Sequence, residues 1–209
     1  MRSPIVKEGL CYGIFFAVLG TMLLVYSKIF TIMFYAMTLF TFYFFRDPAR
    51  DIPSEKGVFV SPADGTVVEV DESVLNDFIG GKAKVIKIRL SPFDVHINRS
   101  PLSGRISYMK YKRGRRISAY DNMSNEFNER NIIGIEGDDL NAEVTQIAGL
   151  FARRIVTWIN VGDKVLIGDK VGMIRFGSRT NLTLPEKTEV CVKVGDKVKA
   201  GETIVGRIK

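Results

Sequence analysis

The sequence predicts a mainly β domain behind a hydrophobic, α-helical N-terminal hairpin. Three observations carry this. Two long uncharged apolar runs occupy the first 45 residues, short strands of period two fill the rest, and one glycine-containing turn motif occurs twice. A chain of 209 residues can supply one well-cored domain and a membrane segment besides.

The N-terminal part comes first. Leu10 to Tyr26 carries no charge, Ser27-Lys28 interrupts, and Ile29 to Phe45 is uncharged again. Each run has 17 residues, about 25 Å as helix against a hydrocarbon core of ~30 Å. Two short spanning helices and a hairpin dipping into one leaflet both fit this length. A buried soluble hairpin is the bland alternative, and nothing amphipathic supports it. A cleaved signal peptide fits worse, because the apolar region is too long and no small-x-small site follows. Arg2 and Lys7 flank one end, Arg46 and Arg50 the other. A hairpin puts both flanks on one side, and the excess of positive charge then places the following domain on the cytoplasmic side of the cell membrane. The expected division is a membrane-anchoring hairpin at 1–45 and a β domain at 46–209.

In the second part, Lys84–Leu90 sets Ile86, Ile88 and Leu90 on one face and Lys87 and Arg89 on the other. Strands are also expected at Thr66–Val70, Arg105–Tyr111, Ala142–Ile147, Arg154–Asn160, Lys187–Val192 and Thr203–Ile208, with a short turn near Asp71–Phe78. Many short strands with Gly-rich turns indicate a sandwich or a barrel. Val161-Gly-Asp-Lys-Val165 with Gly168 recurs, 33 residues on, as Val194-Gly-Asp-Lys-Val198 with Gly201. Each Gly-Asp makes a tight turn between strands. This pattern resembles the turns of lipoyl- and biotinyl-type barrel-sandwich domains, so the β domain is expected to be barrel-sandwich-like.

The net charge of +7 and pI near 9.4 suit an anionic partner. A nucleic acid is disfavoured, since the charges are dispersed and no aromatic-basic interleaving occurs. The two cysteines, Cys11 and Cys191, do not suggest a structural disulfide, because Cys11 lies in the apolar region.

Four stretches carry chemistry in order: Pro48 to Gly65 with Pro-Ala-Arg, preceded by Asp47, and Val-Ser-Pro-Ala-Asp-Gly; SPFDVHINRSPLSG at 91–104; QIAGLFARRIV at 146–156; and GMIRFGSR at 172–179. In this order, behind a hydrophobic N-terminus, they resemble the short form of the phosphatidylserine decarboxylase family, from about Phe44 to the C-terminus. The resemblance implies a proenzyme that cuts itself between Gly177 and Ser178, giving chains 1–177 and 178–209. It implies a pyruvoyl cofactor formed from Ser178, a Schiff base to the amine of a serine-headgroup phospholipid, and decarboxylation. The lipid backbone stays open between ester and archaeal ether. No metal is expected, and the resemblance also implies a homodimer.

On the residues themselves, Gly177 leaves its carbonyl open to attack and tolerates strain, and a neighbouring hydroxyl can attack an amide given a base and oxyanion stabilisation. Taken alone, Gly-Ser is ordinary turn punctuation. His96 is the chain's one histidine, suited to proton transfer near neutral pH. Arg99 stands where many family members carry a second histidine. Asp64 reads as an Asp-Gly turn by itself. The resemblance instead implies an acid that orients His96 in a triad with Ser178. Arg99 and Arg179 are the candidates for binding substrate, with Arg153, Arg154 and Arg175 nearby, because guanidinium matches phosphate and carboxylate. The competing reading is a membrane-tethered barrel-sandwich carrier or adaptor without catalysis. It needs a modifiable lysine at a hairpin tip flanked by Met or Ala, a context that neither Lys164 nor Lys197 has.

Overall fold

A computed structural model of the chain describes residues 4–114, 127–138, 140–149, 155–175 and 178–208. The chain divides into two compact units, Met1–Ala49 and Arg50–Lys209.

The first unit is a pair of helices, α1 (Lys7–Met22) and α2 (Lys28–Phe44). Neither start is capped by a side chain, so packing rather than capping holds them. The packing is inside-out. Buried positions are Gly9, Gly13 and Gly20 on α1 and Thr31, Thr38, Thr41 and, at its end, Phe44 on α2, while Ile14, Phe15, Val25, Ile29, Ile32 and Leu39 are among those exposed. A Cβ at Gly13 would lie 2.2 Å from the Phe42 ring, and one at Gly9 2.3 Å from Phe45 Cβ, so these aromatics seat against bare backbone. The buried threonines donate to the carbonyls one turn back, Thr41 to Met37 at 2.7 Å, which removes the cost of an unpaired hydroxyl. Among the described residues no helix is long and apolar enough to cross a membrane. That corrects the expectation of spanning helices; the elements themselves have 16 and 17 residues.

The second unit is mainly β. Its strands are β1 (Val58–Val60), β2 (Gly65–Asn76), β3 (Gly81–Leu90), β4 (Ile97–Arg99), β5 (Gly104–Lys112), β6 (Arg130–Glu136), β7 (Asn141–Ala148), β8 (Ile155–Thr157), β9 (Lys164–Val165), β10 (Lys170–Ile174), β11 (Ser178–Pro185), β12 (Thr188–Val190), β13 (Lys197–Val198) and β14 (Ile204–Ile208). They form an eight-stranded sheet, order β13-β2-β3-β11-β7-β6-β5-β9, and two three-stranded sheets, β1-β14-β12 and β4-β10-β8. Every pairing is antiparallel. One face of the large sheet supplies Ile86, Ile88, Val144, Leu182 and Leu184 to a core that Phe59, Val171 and Val205 of the small sheets complete.

Most expected strands exist, with shifted ends. The turn expected near Asp71–Phe78 is replaced by a continuation of β2 to Asn76, and the turn follows at Asp77–Gly80. Bulges between Val67 and Glu69 and between Asp71 and Val74 let this polar stretch stay paired with β3 while its alternation slips. Arg154 lies outside the described residues.

The recurring turn belongs to a larger duplication. One half is β1, the loop Ser61–Asp64, the start of β2, and the segment 194–206. The other is β4, the loop Ser100–Ser103, the start of β5, and the segment 161–172. Gly201 N donates to Ser61 O and Gly168 N to Ser100 O, both at 2.9 Å. Val67 N donates to Asp196 O and Ile106 N to Asp163 O, again both at 2.9 Å. Ser61 and Ser100 each donate through Oγ to the carbonyl two residues on, at 2.7 Å. The halves also clasp each other: Val60 N donates to Pro101 O and Arg99 N to Pro62 O, at 3.0 and 2.9 Å.

Candidate active site

Ser178 opens β11, the strand between β3 and β7, in register with Leu90 and Ala148. Side chains alternate along a strand. Ser178 therefore faces the same way as Thr180, Leu182 and Leu184, into the interior, and is fully buried. Its Oγ is buried with no hydrogen-bond partner among the described residues. Leaving a buried hydroxyl unpaired costs about 1–3 kcal/mol, so a serine kept there for structure alone would be anomalous.

His96, also fully buried, immediately precedes β4. Its carbonyl accepts from Ile174 N at 3.3 Å, and the side chain of Ile174 clusters with Ala148, the register partner of Ser178. His96 is thus bonded through its backbone to the last residue of β10, and Ser178 opens the next strand. The imidazole Nδ1 lies 2.9 Å from the Asp94 carbonyl. A carbonyl can only accept, so Nδ1 carries the proton and Nε2 is left as the basic nitrogen, the tautomer a general base requires. The Asp94 carboxylate is used elsewhere and accepts from Ser91 N at 2.7 Å.

Asp64 has other partners. Both its oxygens accept from Arg50 Nη2 at 2.9 Å, and Oδ1 also accepts from Ala200 N at 2.8 Å. The Arg50 side chain is 4% exposed and reaches Glu202 at 3.6 Å. Asp64 is tied to the histidine through its loop, since Pro62 O accepts both from Arg99 N at 2.9 Å and from Asn98 Nδ2 at 3.2 Å.

The two candidate substrate arginines are both buried. Arg99 donates through Nη1 to Gly168 O at 2.9 Å, inside the duplicated turn. Arg179 faces away from Ser178, directly opposite Arg89 in the β3 register. On that outer face a groove of about 520 Å³ is lined by Lys87, Glu69, Asp71, Glu143 and Asn181 among others. Burial acts to lower the pKa of Lys87, and its hydrogen bonds to Asp71 and Glu69 outweigh this, so it is raised. The sheet separates this groove from the serine. Gly177, Arg153 and Arg154 lie outside the described residues. Lys164 and Lys197 begin β9 and β13 after the Gly-Asp tips, so neither occupies a tip. Among the described residues no cluster could hold a metal ion.

Sequence reasoning missed Asp94 as the partner of the imidazole, Arg50 as the partner of Asp64, and the amides of Asn98 and Gln146. The Asp-Val-His spacing could have flagged the first; the others needed the fold.

The comparisons with known proteins bear on the family. The family model described as phosphatidylserine decarboxylase matches residues 37–206. A protein named phosphatidylserine decarboxylase proenzyme from Symbiobacterium thermophilum is 45% identical over 211 aligned residues, covering 100% of this chain and 98% of that protein. Proteins of the same name from Desulfotalea psychrophila and Carboxydothermus hydrogenoformans are 41% and 40% identical, covering 99% and 100% of this chain and 98% and 100% of theirs. With a family match over most of its length and relatives aligned end to end, this chain belongs to the phosphatidylserine decarboxylase family.

Proposed function

We propose that Ser178, His96 and Asp64 are the processing set of this proenzyme and that Ser178 becomes its cofactor. The enzyme is a pyruvoyl-dependent decarboxylase acting on phosphatidylserine. The observation that supports Ser178 best is its buried, unpartnered Oγ. In self-cleavage that oxygen attacks the Gly177 carbonyl and the amide becomes an ester, with His96 Nε2 taking the hydroxyl proton and the Ser178 nitrogen becoming the free amine. Elimination across Cα–Cβ then releases Gly177 as a carboxylate that keeps this oxygen, and water replaces the nitrogen of the remaining dehydroalanine, which leaves as ammonia. An oxygen that is given up to the upstream chain has no need of a lasting hydrogen bond, so the residues present fit the group. The pyruvoyl ketone supplies the electron sink for the bond to the departing carboxylate.

The chain's own groups do the rest. His96, pinned by the Asp94 carbonyl, is poised to hold or return a proton. Asp64 positions the loop whose Pro62 carbonyl holds the strand next to His96. For the lipid phosphate the candidate is Arg99, three residues from His96, since Arg179 faces away from Ser178.

The test is intact mass spectrometry with the Ser178→Ala variant beside it. Active protein should contain chains 1–177 and 178–209, the smaller one reducible by borohydride; the alanine variant should stay whole and inactive. An uncut, active alanine variant would sink the reading.

We further propose that the helix pair dips into the cytoplasmic leaflet of the cell membrane, that the β unit is a barrel-sandwich, and that the protein is a homodimer. Small residues between the helices and large apolar ones outside suit a lipid surround. Deleting residues 1–45 should release the protein from membranes and leave activity on a short-chain substrate. A truncated protein that still pellets with membranes in high salt would refute the anchor. Sedimentation in detergent tests the dimer.

A further inference from the structure

A line of side-chain amides crosses the interior between the large sheet and the β4-β10-β8 sheet. Asn98 Nδ2 donates to Pro62 O at 3.2 Å and to Thr180 Oγ1 at 3.0 Å. Its Oδ1 accepts from Gln146 Nε2 at 2.8 Å. Gln146 Oε1 in turn accepts from Asn131 Nδ2 at 3.1 Å, and Asn131 donates again to Thr157 Oγ1 at 3.2 Å. Asn98, Gln146 and Thr180 are fully buried. The direction of the line is fixed from one end. A carbonyl can only accept, so Asn98 must turn its NH₂ to Pro62, and Gln146 must then meet it with its own NH₂.

The line stands beside the reacting groups. Asn98 is two residues from His96, and Thr180 is two residues from Ser178 on the same face of β11. Gln146 is the register partner of Thr180. Gly172, opposite Asn98 in β10, leaves no room for a side chain: a Cβ there would sit 3.1 Å from Gln146 Nε2 and 2.3 Å from Val156 O. A slip of β4 against β11 by one residue would strand several buried donors and acceptors at once. Apolar side chains filling the same space would resist such a slip far less.

We propose that the Asn98–Gln146–Thr180 line is a positioning device that locks His96 in register with Ser178 for self-cleavage; it rests on the roles given above to those two residues. Full-length protein is synthesised cell-free in detergent, and the cleaved fraction is followed over time by intact mass for wild type, Ser178→Ala, Gln146→Leu and Gln146→Glu. Circular dichroism records the folded fraction across the pH range. Gln146→Leu should slow cleavage by roughly 10²-fold, the scale of a misplacement of about 1 Å. Gln146→Glu gives the readout that a merely structural role would not move. Ionised, its carboxylate opposes Asn98 Oδ1, acceptor to acceptor. Protonated, it donates to Asn98 and still accepts from Asn131, and burial raises the pKa of such a carboxyl. The ratio of variant to wild-type cleavage rate should therefore climb by roughly ten-fold or more from about pH 8 to about pH 6. A flat ratio in folded protein overturns the proposal, whatever the leucine variant does, and so does wild-type cleavage by folded Gln146→Leu. Should the leucine variant not fold, the glutamate ratio decides alone. Cleavage by Ser178→Ala would strike down the reading of Ser178 instead.

Discussion

The loop Ser61–Asp64 and the loop Ser100–Ser103 do the same work with different chemistry. Both begin Ser-Pro, both are closed by a serine hydroxyl on the carbonyl two residues on, and both receive an amide from the duplicated turn. At the fourth position they part. Asp64 accepts from Ala200 N at 2.8 Å, and Ser103 accepts from Ile167 N at 2.9 Å. A neutral hydroxyl therefore suffices to hold the turn. The carboxylate at 64 adds a charge, and that charge is met by buried Arg50. The half that carries the ion pair is the half whose loop steadies the strand next to His96.

The widest gap between the halves should come from truncating that fourth position. Asp64→Ala leaves the buried guanidinium of Arg50, among the described residues, with only Glu202 at 3.6 Å, so a loss of about 3 kcal/mol is expected in urea unfolding. Ser103→Ala loses one hydrogen bond to an exposed amide, about 1 kcal/mol. Equal losses would show that the ion pair adds no stability. Asp64→Ala should also slow self-cleavage, and Ser103→Ala should not.

A smaller difference is expected at the paired turn glycines. Gly168 and Gly201 have φ of +82° and +78°, so alanine at either site pays roughly 1–2 kcal/mol for the left-handed backbone. A Cβ at 168 would also come within 2.3 Å of Ile52 Cδ1, against 3.1 Å at 201. Gly168→Ala should melt below Gly201→Ala. Identical melting temperatures would mean that Ile52 swings aside.

The least effect at neutral pH lies on the outer face of the large sheet, which neither half duplicates. Tyr108 donates to Glu143 and stacks edge-on against Phe78. Burial, then the Glu143 carboxylate, push its phenol well above the ordinary tyrosine range. A pKa higher folded than unfolded means that the protonated phenol stabilises the fold. That contribution is complete below about pH 10, the unfolded value, and is lost as pH rises toward the folded one. In an absorbance titration of the folded protein, Tyr108→Phe should lose a late-ionising step. If the variant leaves the late step in place, another residue owns it.

The sequence displayed half of this duplication. The Val-Gly-Asp-Lys-Val echo was visible because its period is uniform and its turn chemistry is distinctive. The Ser-Pro-x-x-Gly echo at 61–65 and 100–104 lay in plain sight too, but its 39-residue offset differs from the 33 of the turn, so no single repeat emerges. Strands β9 and β13 have two residues each, too few for any periodicity. β2 past Val70 was hidden because Asp71, Glu72 and Ser73 break the alternation that its bulges absorb. At the site, Ser178, His96 and Asp64 are legible as motif residues, and the same motifs carry the resemblance to the phosphatidylserine decarboxylase family. Asp64's bond to Arg50 and the amide line through Gln146 are not, since both join residues whose nearness is created only by the fold.

The position of β11 has a consequence for the protein once it is cut. If the chain is severed ahead of Ser178, as proposed, residues 178–209 would still supply the strand between β3 and β7, with register pairs to both from its first residue onward. They also supply two strands of a second sheet, β12 and β14, and the β13 edge. The shorter fragment is thus laced through two layers, and its escape requires dismantling both. A cut at the proposed place would change the covalent connectivity and leave these pairings available, so the two pieces should co-purify and part only in denaturant, after which re-association becomes a second-order reaction that the uncut precursor never had to face.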